Sequence, residues 1–144
     1  MAAKHIVLYA DDDVDDIQLV KEAFANYSKN VELICVSDGL EALSFLKNIP
    51  QTEPSPCLII LDINMPRMDG KEALAKIREM KRFEDAPAIL FTTSSQPIDK
   101  AFATKFKAGF LTKPIDFKQV DIVAAKFIEH CTDEIKKNIR SQIK

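Results

Sequence analysis

Glycine, histidine and cysteine are scarce in this chain of 144 residues, which contains three, two and three of them. The glycines are too far apart for a G-x-x-x-x-G-K phosphate loop, a G-x-G-x-x-G dinucleotide motif or a G-x-S-x-G nucleophile elbow. The two histidines, His5 and His130, exclude an H-E-x-x-H zinc site. The sequence therefore lacks the common motifs of nucleotide-binding proteins, serine hydrolases and zinc proteases.

Cysteine usage and charge restrict the compartment and the partners. Cys35, Cys57 and Cys131 form no C-x-x-C pair, and their odd number does not suit a secreted disulfide framework. No apolar run is long enough for a membrane span, and the N-terminus lacks the pattern of a signal peptide. The net charge of -2 gives no reason to expect nucleic-acid or anionic-membrane binding. We expect a cytoplasmic protein that binds neither.

Short apolar runs alternate with segments of helical spacing along the whole chain. Runs of four to six residues rich in Ile, Leu, Val and Phe are typical of strands buried on both faces. These runs cover residues 6–10, 31–36, 57–61, 88–91 and 109–112. Five strands alternating with five helices predict an α/β fold, a doubly wound five-stranded parallel sheet with right-handed crossovers.

The predicted elements use up the chain, so we expect residues 1–144 to form a single domain without an effector domain. The core is predicted over about residues 4–129, and residues 130–144 are predicted to be a helical C-terminal extension of the fifth helix. Ile135, Ile139 and Ile143 continue the apolar series of that helix but drift off its core face, which favours a contact surface. A frayed, solvated tail is one alternative, and a separate short helix capped by Thr132 that folds back is another.

Polar side chains follow four of the predicted strands, at the sheet edge where ligands of open α/β sheets bind. They are Asp11 to Asp13, Asp62, Thr92 and Lys113. Two carboxylates at ~4 Å repel by about 4 kcal/mol, so such a cluster needs a cation or a proton. Oxygen ligands without His or Cys favour Mg²⁺, with Mn²⁺ as a substitute, and the Lys113 ammonium is a second partner. Asp13, Asp15 and Asp16 are interpreted as carboxylates that decorate a helix N-terminus.

Five segments carry a resemblance to a known family: "IVLYADDD", "VSDGLEAL", "LIILDINMPRMDG", "ILFTTS" and "GFLTKPI". Over about residues 4–129 the sequence resembles the receiver domain of two-component response regulators, of the single-domain type. The resemblance implies a flavodoxin-like (βα)5 fold and a phosphoacceptor that catalyses only its own phosphorylation and dephosphorylation. The implied phosphodonor is the phosphohistidine of a sensor histidine kinase or of a histidine phosphotransfer protein.

The resemblance also implies a role for each residue of the phosphorylation site. Asp62 matches the phosphoacceptor, and Lys113 matches the lysine that binds the phosphoryl group. The implied Mg²⁺ ligands are Asp11, Asp12, Asp62 and the backbone carbonyl of Asn64. Because three aspartates follow one another, the acidic pair is either 11/12 or 12/13. The first is chosen because helix one then begins at the offset usual in the family.

The resemblance further implies a switch and a means of tuning it. Thr92 and Phe110 match the switch residues, and Asn64 and Ser94 border the path of the hydrolytic water. The Lys113–Pro114 bond matches a cis peptide of the family. The implied switch surface comprises helix four, strand five and helix five, where an unknown downstream protein or a second copy binds. The C-terminal tail is an alternative surface for a homodimer.

Two other functions compete with this interpretation. A haloacid-dehalogenase-type phosphatase also uses an Asp at a strand end with Mg²⁺, but it needs D-x-D on its first strand. Here the corresponding stretch is Asp62-Ile63-Asn64 on the third strand, and no cap domain is predicted. A receiver-fold scaffold that acts without phosphorylation is the other alternative, and binding of a phosphoryl mimic with Mg²⁺ distinguishes it.

Overall fold

The computed structural model describes residues 4–113 and 120–140. Five strands lie in these ranges: β1 (His5–Ala10), β2 (Val31–Val36), β3 (Leu58–Leu61), β4 (Ala88–Thr92) and β5 (Gly109–Thr112). The helices in the same ranges are α1 (Val14–Ala25), α2 (Gly39–Lys47), α3 (Gly70–Glu79), α4 (Pro97–Lys105), α5 (Val120–Glu129) and α6 (Asp133–Arg140). A short 3-10 turn over Lys81–Phe83 precedes β4.

The five strands form one parallel sheet in the order β2-β1-β3-β4-β5, which confirms the predicted doubly wound architecture. Alternate residues of β1 point to opposite faces, as strand geometry requires. Val7 and Tyr9 pack with α1, α5 and α6, whereas Leu8 and Ala10 pack with α2, α3 and α4. The core therefore consists of two apolar layers, one on each face of the sheet.

Aspartates begin the three helices that follow β1, β2 and β3. Asp13, Asp38 and Asp69 are the N-caps of α1, α2 and α3, and each side chain accepts backbone N–H bonds of the first turn. Gly70 starts α3 in close contact with β3, because a Cβ atom there would lie 2.0 Å from the carbonyl oxygen of Asp62. The helix start is thereby packed directly against the backbone of the candidate acceptor.

The prediction that the tail continues the fifth helix is wrong. α5 ends at Glu129, the amides of His130 and Cys131 bond to carbonyls three residues earlier, and α6 begins at Asp133. The apolar side chain of Ile139 is fully buried in the α1/α5 core layer, and Ile135 packs against the same layer. The expected exposed stripe is therefore not present at these two positions, since the break after α5 lets Ile139 become fully buried and Ile135 partly buried.

Polar contacts hold α6 in this folded-back position. The structure thus agrees with the alternative interpretation, a separate short helix that folds back. Glu129 forms ion pairs with Lys136 at 3.2 Å and Arg140 at 2.8 Å. His5 and Asn30, at the starts of β1 and β2, hydrogen bond to the side chain and backbone carbonyl of Asn138 at 3.0 and 2.9 Å. α6 thus lies near the amino-terminal ends of β1 and β2, whereas the site residues lie at the carboxyl ends of the strands.

Some sequence predictions concern residues outside the described ranges. The start of the fifth helix, the proposed cis bond between Lys113 and Pro114, and Ile143 of the tail are among them. Concerning membranes, the helices within residues 4–113 and 120–140 include none with the length and apolar character that a bilayer span requires.

Candidate functional site

Three carboxylates meet at the ends of the two neighbouring strands β1 and β3. One oxygen from each of Asp11, Asp12 and Asp62 lies within 4.8 Å of the others. The parallel register that pairs Ala10 with Leu61 brings them together, because Asp11 and Asp62 are the next residues on each strand. Asp11 and Asp62 are buried, whereas Asp12 is exposed to solvent. The cluster therefore has a closed side within the sheet and an open side toward water.

The ammonium of Lys113 lies among these carboxylates. Its Nζ atom is 2.8 Å from Asp11 Oδ2, 2.7 Å from Asp16 Oδ2 and 3.2 Å from Asp62 Oδ2. Lys113 follows β5 directly, and its backbone amide donates to the carbonyl oxygen of Thr92 at 2.7 Å. Its ammonium also lies 5.7 Å from the centre of the Phe91 ring. The predicted partnership between the lysine and the acidic cluster is present, and it includes Asp16.

Burial and like charge shift the protonation equilibria of this cluster. Burial raises the pKa of Asp62 to about 6, and the neighbouring Asp11 carboxylate acts in the same direction while Lys113 opposes it. Burial alone would lower the pKa of Lys113, but its hydrogen bonds to Asp11 and Asp16 outweigh that effect and raise it. Lys113 is therefore firmly cationic, and the negative charge around it remains in excess.

The structure favours the 11/12 register of the acidic pair over 12/13. The Asp13 side chain accepts the amides of Asp15 and Asp16 at 2.9 and 3.0 Å, as the N-cap of α1. Its carboxylate is thus committed to the helix, in agreement with the interpretation of that residue. Asp12, in contrast, contributes an oxygen to the three-carboxylate group.

Two contacts of this site were missed in the sequence. Asp16 was interpreted as a helix decoration, yet it makes the shortest of the three contacts to Lys113. The buried phenol of Tyr9 donates to Asp11 Oδ2, and both burial and the Asp11 charge raise the pKa of Tyr9. The Tyr9 contact has a sequence signal, because alternate residues of a strand face the same side and Asp11 lies two residues after Tyr9. The Asp16 contact has no such signal, because Lys113 lies 97 residues away in the sequence.

The remaining predicted site residues lie around the cluster rather than in it. Thr92 is buried at the end of β4, and its Oγ1 atom accepts the amide of Ser94 at 3.3 Å. Phe110 is half-buried in β5, with its ring 5.9 Å from the ammonium of Lys100. Asn64 is exposed two residues after Asp62. Within the described part of the chain, no hydrogen bond or ion pair joins the side chains of these residues to the three carboxylates.

The donor set suits a hard divalent cation. Every side chain of the cluster offers oxygen, and Mg²⁺ and Mn²⁺ prefer carboxylate, carbonyl and water oxygens. The exposed carboxylate of Asp12 leaves the cluster accessible from solvent. An ion bound there would compensate the charge that the single lysine leaves unbalanced.

Comparison with known proteins identifies the relatives of the chain. The family model described as the response regulator receiver domain matches residues 7–125. Response regulator Rcp1 of Synechocystis sp. is 33% identical over 118 residues, which cover 80% of this chain and 80% of that protein. Both matches cover most of the chain.

Solved structures agree with this assignment. The phosphorylated cyanobacterial phytochrome response regulator RcpA has a TM-score of 0.81 at 27% identity, covering 92% of this chain and 96% of its own. The Mn²⁺-bound form of Rcp1 has a TM-score of 0.77 at 31% identity, covering 89% and 97%. Phosphoryl acceptance from histidine kinases and binding of a divalent metal are typical of such domains. The chain therefore belongs to the receiver domain family of two-component response regulators.

Proposed function

We propose that Asp62 accepts the phosphoryl group, from the phosphohistidine of a sensor histidine kinase or a histidine phosphotransfer protein. The observation that carries this proposal is the group formed by Asp11, Asp12 and Asp62, whose oxygens lie within 4.8 Å of one another beside Lys113. Asp62 is the member of this group that is both buried and in contact with the lysine at the longest of its three distances. Of the carboxylates that contact Lys113, Asp62 is thus the one held least closely.

In the proposed reaction, an oxygen of the Asp62 carboxylate attacks phosphorus while the bond from phosphorus to the donor imidazole nitrogen breaks. Since the pKa of Asp62 is about 6, most of this carboxyl group is ionised and nucleophilic at neutral pH. The Lys113 ammonium then stabilises the charge on the phosphoryl oxygens. Asp11, Asp12, Asp62 and the carbonyl of Asn64 would hold Mg²⁺, or Mn²⁺ in its place. When bound, the cation neutralises further phosphoryl charge.

The output that we propose is a change of surface rather than turnover of a separate substrate. The new acyl phosphate carries about -2 charge and three acceptor oxygens. Thr92 and Lys113 would bind these oxygens, and Phe110 would turn inward as the loop after β4 moves. The altered surface of α4, β5 and α5 would bind a downstream protein or a second copy. The free cysteines and the nature of the phosphodonor support a cytoplasmic location.

Labelling with acetyl phosphate in Mg²⁺, followed by intact mass measurement, tests the acceptor. The wild type is expected to gain one phosphoryl group, and Asp62→Asn none. Asp15→Asn is the matched control, because Asp15 is an exposed carboxylate in the first turn of α1. Full labelling of Asp62→Asn would contradict the assignment. A wild type that neither becomes labelled nor binds beryllofluoride with Mg²⁺ would instead be a scaffold.

A further inference from the structure

A chain of hydrogen bonds connects α3, α4 and the loop between β4 and α4. The ammonium of Lys71, at the start of α3, lies 2.9 Å from Asp99 Oδ1 on α4. The hydroxyl of Ser94, in the loop, donates to Asp99 Oδ2 at 2.8 Å. Asp99 is only 7% exposed. Both oxygens of this buried carboxylate are therefore bound, each by a different part of the molecule.

The chain continues from Ser94 to the residue proposed as the phosphoryl switch. The backbone amide of Ser94 donates to the Thr92 hydroxyl oxygen at 3.3 Å. Thr92 ends β4, the neighbour of β3, and Asp62 directly follows β3. Asp99 is thus connected to the Thr92 hydroxyl by two hydrogen bonds, both of which are made by Ser94.

A simple capping role does not explain Asp99. It is the third residue of α4, where a carboxylate commonly reaches back to the backbone amide of the N-cap residue. Here the amide of the N-cap residue, Gln96, donates to Ser94 Oγ at 3.2 Å instead. The Asp99 carboxylate bonds to Lys71 and Ser94, so it joins two elements to α4 rather than stabilising the end of its own helix.

The same turn of α4 also contacts the second proposed switch residue. The ammonium of Lys100, the neighbour of Asp99, lies 5.9 Å from the centre of the Phe110 ring. Lys71 makes a second contact to α4, 5.2 Å from the centre of the Phe102 ring. The start of α4 is therefore anchored to α3 and touches the structure around both Thr92 and Phe110.

We propose that Lys71, Asp99 and Ser94 form a latch that holds the β4–α4 loop in the conformation described here. This inference rests on the proposed function of Asp62. For its hydroxyl to bind an oxygen of a phosphoryl group on Asp62, Thr92 moves toward β3 and draws Ser94 with it. That movement breaks the bond from Ser94 to Asp99. Asp99 is thus a positioning residue, which acts through Ser94 on the equilibrium between the latched and the phosphoryl-bound loop.

Binding of beryllofluoride with Mg²⁺, measured by titration calorimetry, tests the latch without relying on tryptophan, which the chain lacks. Asp99→Asn and Ser94→Ala are each expected to bind the mimic about threefold to tenfold more tightly than the wild type, because a charged hydrogen bond that opposes binding is lost. Asp85→Asn is the control. It removes the carboxylate of an exposed ion pair with Lys107, and its affinity is expected to equal that of the wild type.

A double-mutant cycle separates the latch from a general loosening of the fold. Lys71→Met and Ser94→Ala both act through Asp99, so the gain in affinity of the double variant should be smaller than the product of the two single gains. Amide exchange of residues 93–96, measured without the mimic, should be faster in Asp99→Asn than in Asp85→Asn. This second measurement does not depend on phosphoryl binding.

The outcomes distinguish the latch from the function on which it rests. If the wild type binds beryllofluoride and Asp99→Asn and Ser94→Ala bind it equally or more weakly, the latch is wrong while the function stands. If the wild type does not bind the mimic with Mg²⁺, both proposals fail. Independent, multiplying effects of Lys71→Met and Ser94→Ala would also contradict the latch.

Discussion

Two aspartates of this protein, Asp62 and Asp99, are both buried beside a lysine, yet their pKa values are shifted in opposite directions. Asp62 is 5% exposed and Asp99 is 7% exposed, and each carboxylate has a lysine ammonium at hand, at 3.2 and 2.9 Å. Yet the pKa of Asp62 is raised to about 6, first by burial and then by Asp11. The pKa of Asp99 is lowered, first by the hydrogen bond from Lys71 and then by that from Ser94.

Besides the stronger effect of burial on Asp62, the two sites differ in how many carboxylates share each lysine. Lys113 contacts Asp11 and Asp16 more closely than it contacts Asp62, so one ammonium serves three carboxylates. Lys71 forms its ion pair with Asp99, whose second oxygen accepts the Ser94 hydroxyl. Burial alone therefore does not mark a reactive carboxylate. An excess of buried negative charge distinguishes Asp62 from Asp99, and a bound cation or a proton can compensate it.

The sharpest test of this comparison is the effect of neutral amides on stability. At pH 7 Asp62→Asn is expected to raise the free energy of unfolding by about 2 kcal/mol, because it removes a charge that folding buries unfavourably. Asp99→Asn is expected to lower it by about 1 kcal/mol, since a charged hydrogen bond is lost. Urea unfolding without divalent cations measures both differences.

The pH dependence of these two effects follows from the direction of each pKa shift. The raised pKa of Asp62 means that the wild type loses stability as pH rises from about 4 through about 6. The excess of the unfolding free energy of Asp62→Asn over that of the wild type should therefore vanish near pH 4. The lowered pKa of Asp99 stabilises the wild type above the ordinary pKa of an Asp, and this contribution is lost as pH falls. Changes of the same sign in the unfolding free energies of Asp62→Asn and Asp99→Asn at pH 7 would contradict the comparison.

Metal affinity provides the next test, because only the crowded carboxylates should bind a cation. Asp12→Ala is expected to weaken Mg²⁺ binding roughly tenfold, since one of three clustered charges is removed. Asp15→Ala controls for the loss of an acidic residue nearby, and Asp13→Ala tests the register. Calorimetric titration with Mg²⁺ measures all three. A larger loss in Asp13→Ala than in Asp12→Ala would move the acidic pair to 12/13.

Much of the crowded site could be predicted from sequence, because strand ends of a parallel sheet converge. Asp11, Asp62, Thr92 and Lys113 each end or directly follow a recognisable apolar run, so the order of the runs was enough to bring them together. The side-chain contact of Asp16 was missed because a first-turn carboxylate has a sufficient explanation in the helix dipole.

The latch and the tail could not be predicted for a different reason. Lys71 and Asp99 are 28 residues apart on two helices, and only the packing of α3 beside α4 makes them partners. The sequence around the break after Glu129 contains no Gly or Pro that would predict the end of a helix. The break is stabilised by burial of Ile139 against a core layer assembled from β1, α1 and α5. In both cases tertiary packing decides what local sequence leaves open.

The smallest expected effects concern the lifetime of the acyl phosphate, and they separate the two aspartate environments kinetically. Asn64 is exposed close to Asp62, whereas Ser94 is bonded to Asp99. Neither side chain acts as a base at neutral pH, so each can only orient or admit the hydrolytic water. Asn64→Lys should slow the decay about threefold, because its ammonium would form an exposed ion pair with the phosphoryl group.

Decay after removal of acetyl phosphate, followed by intact mass, measures this effect. The extent of labelling and the affinity for beryllofluoride should change little in Asn64→Lys, whereas Ser94→Ala should alter both the decay rate and the affinity because it also opens the latch. Gln51→Lys adds the same charge at an exposed position before β3, on the side of the sheet away from Asp62. Its decay rate should equal that of the wild type. Unchanged decay in both Asn64→Lys and Ser94→Ala would mean that another residue, such as Thr93, controls the access of water to Asp62.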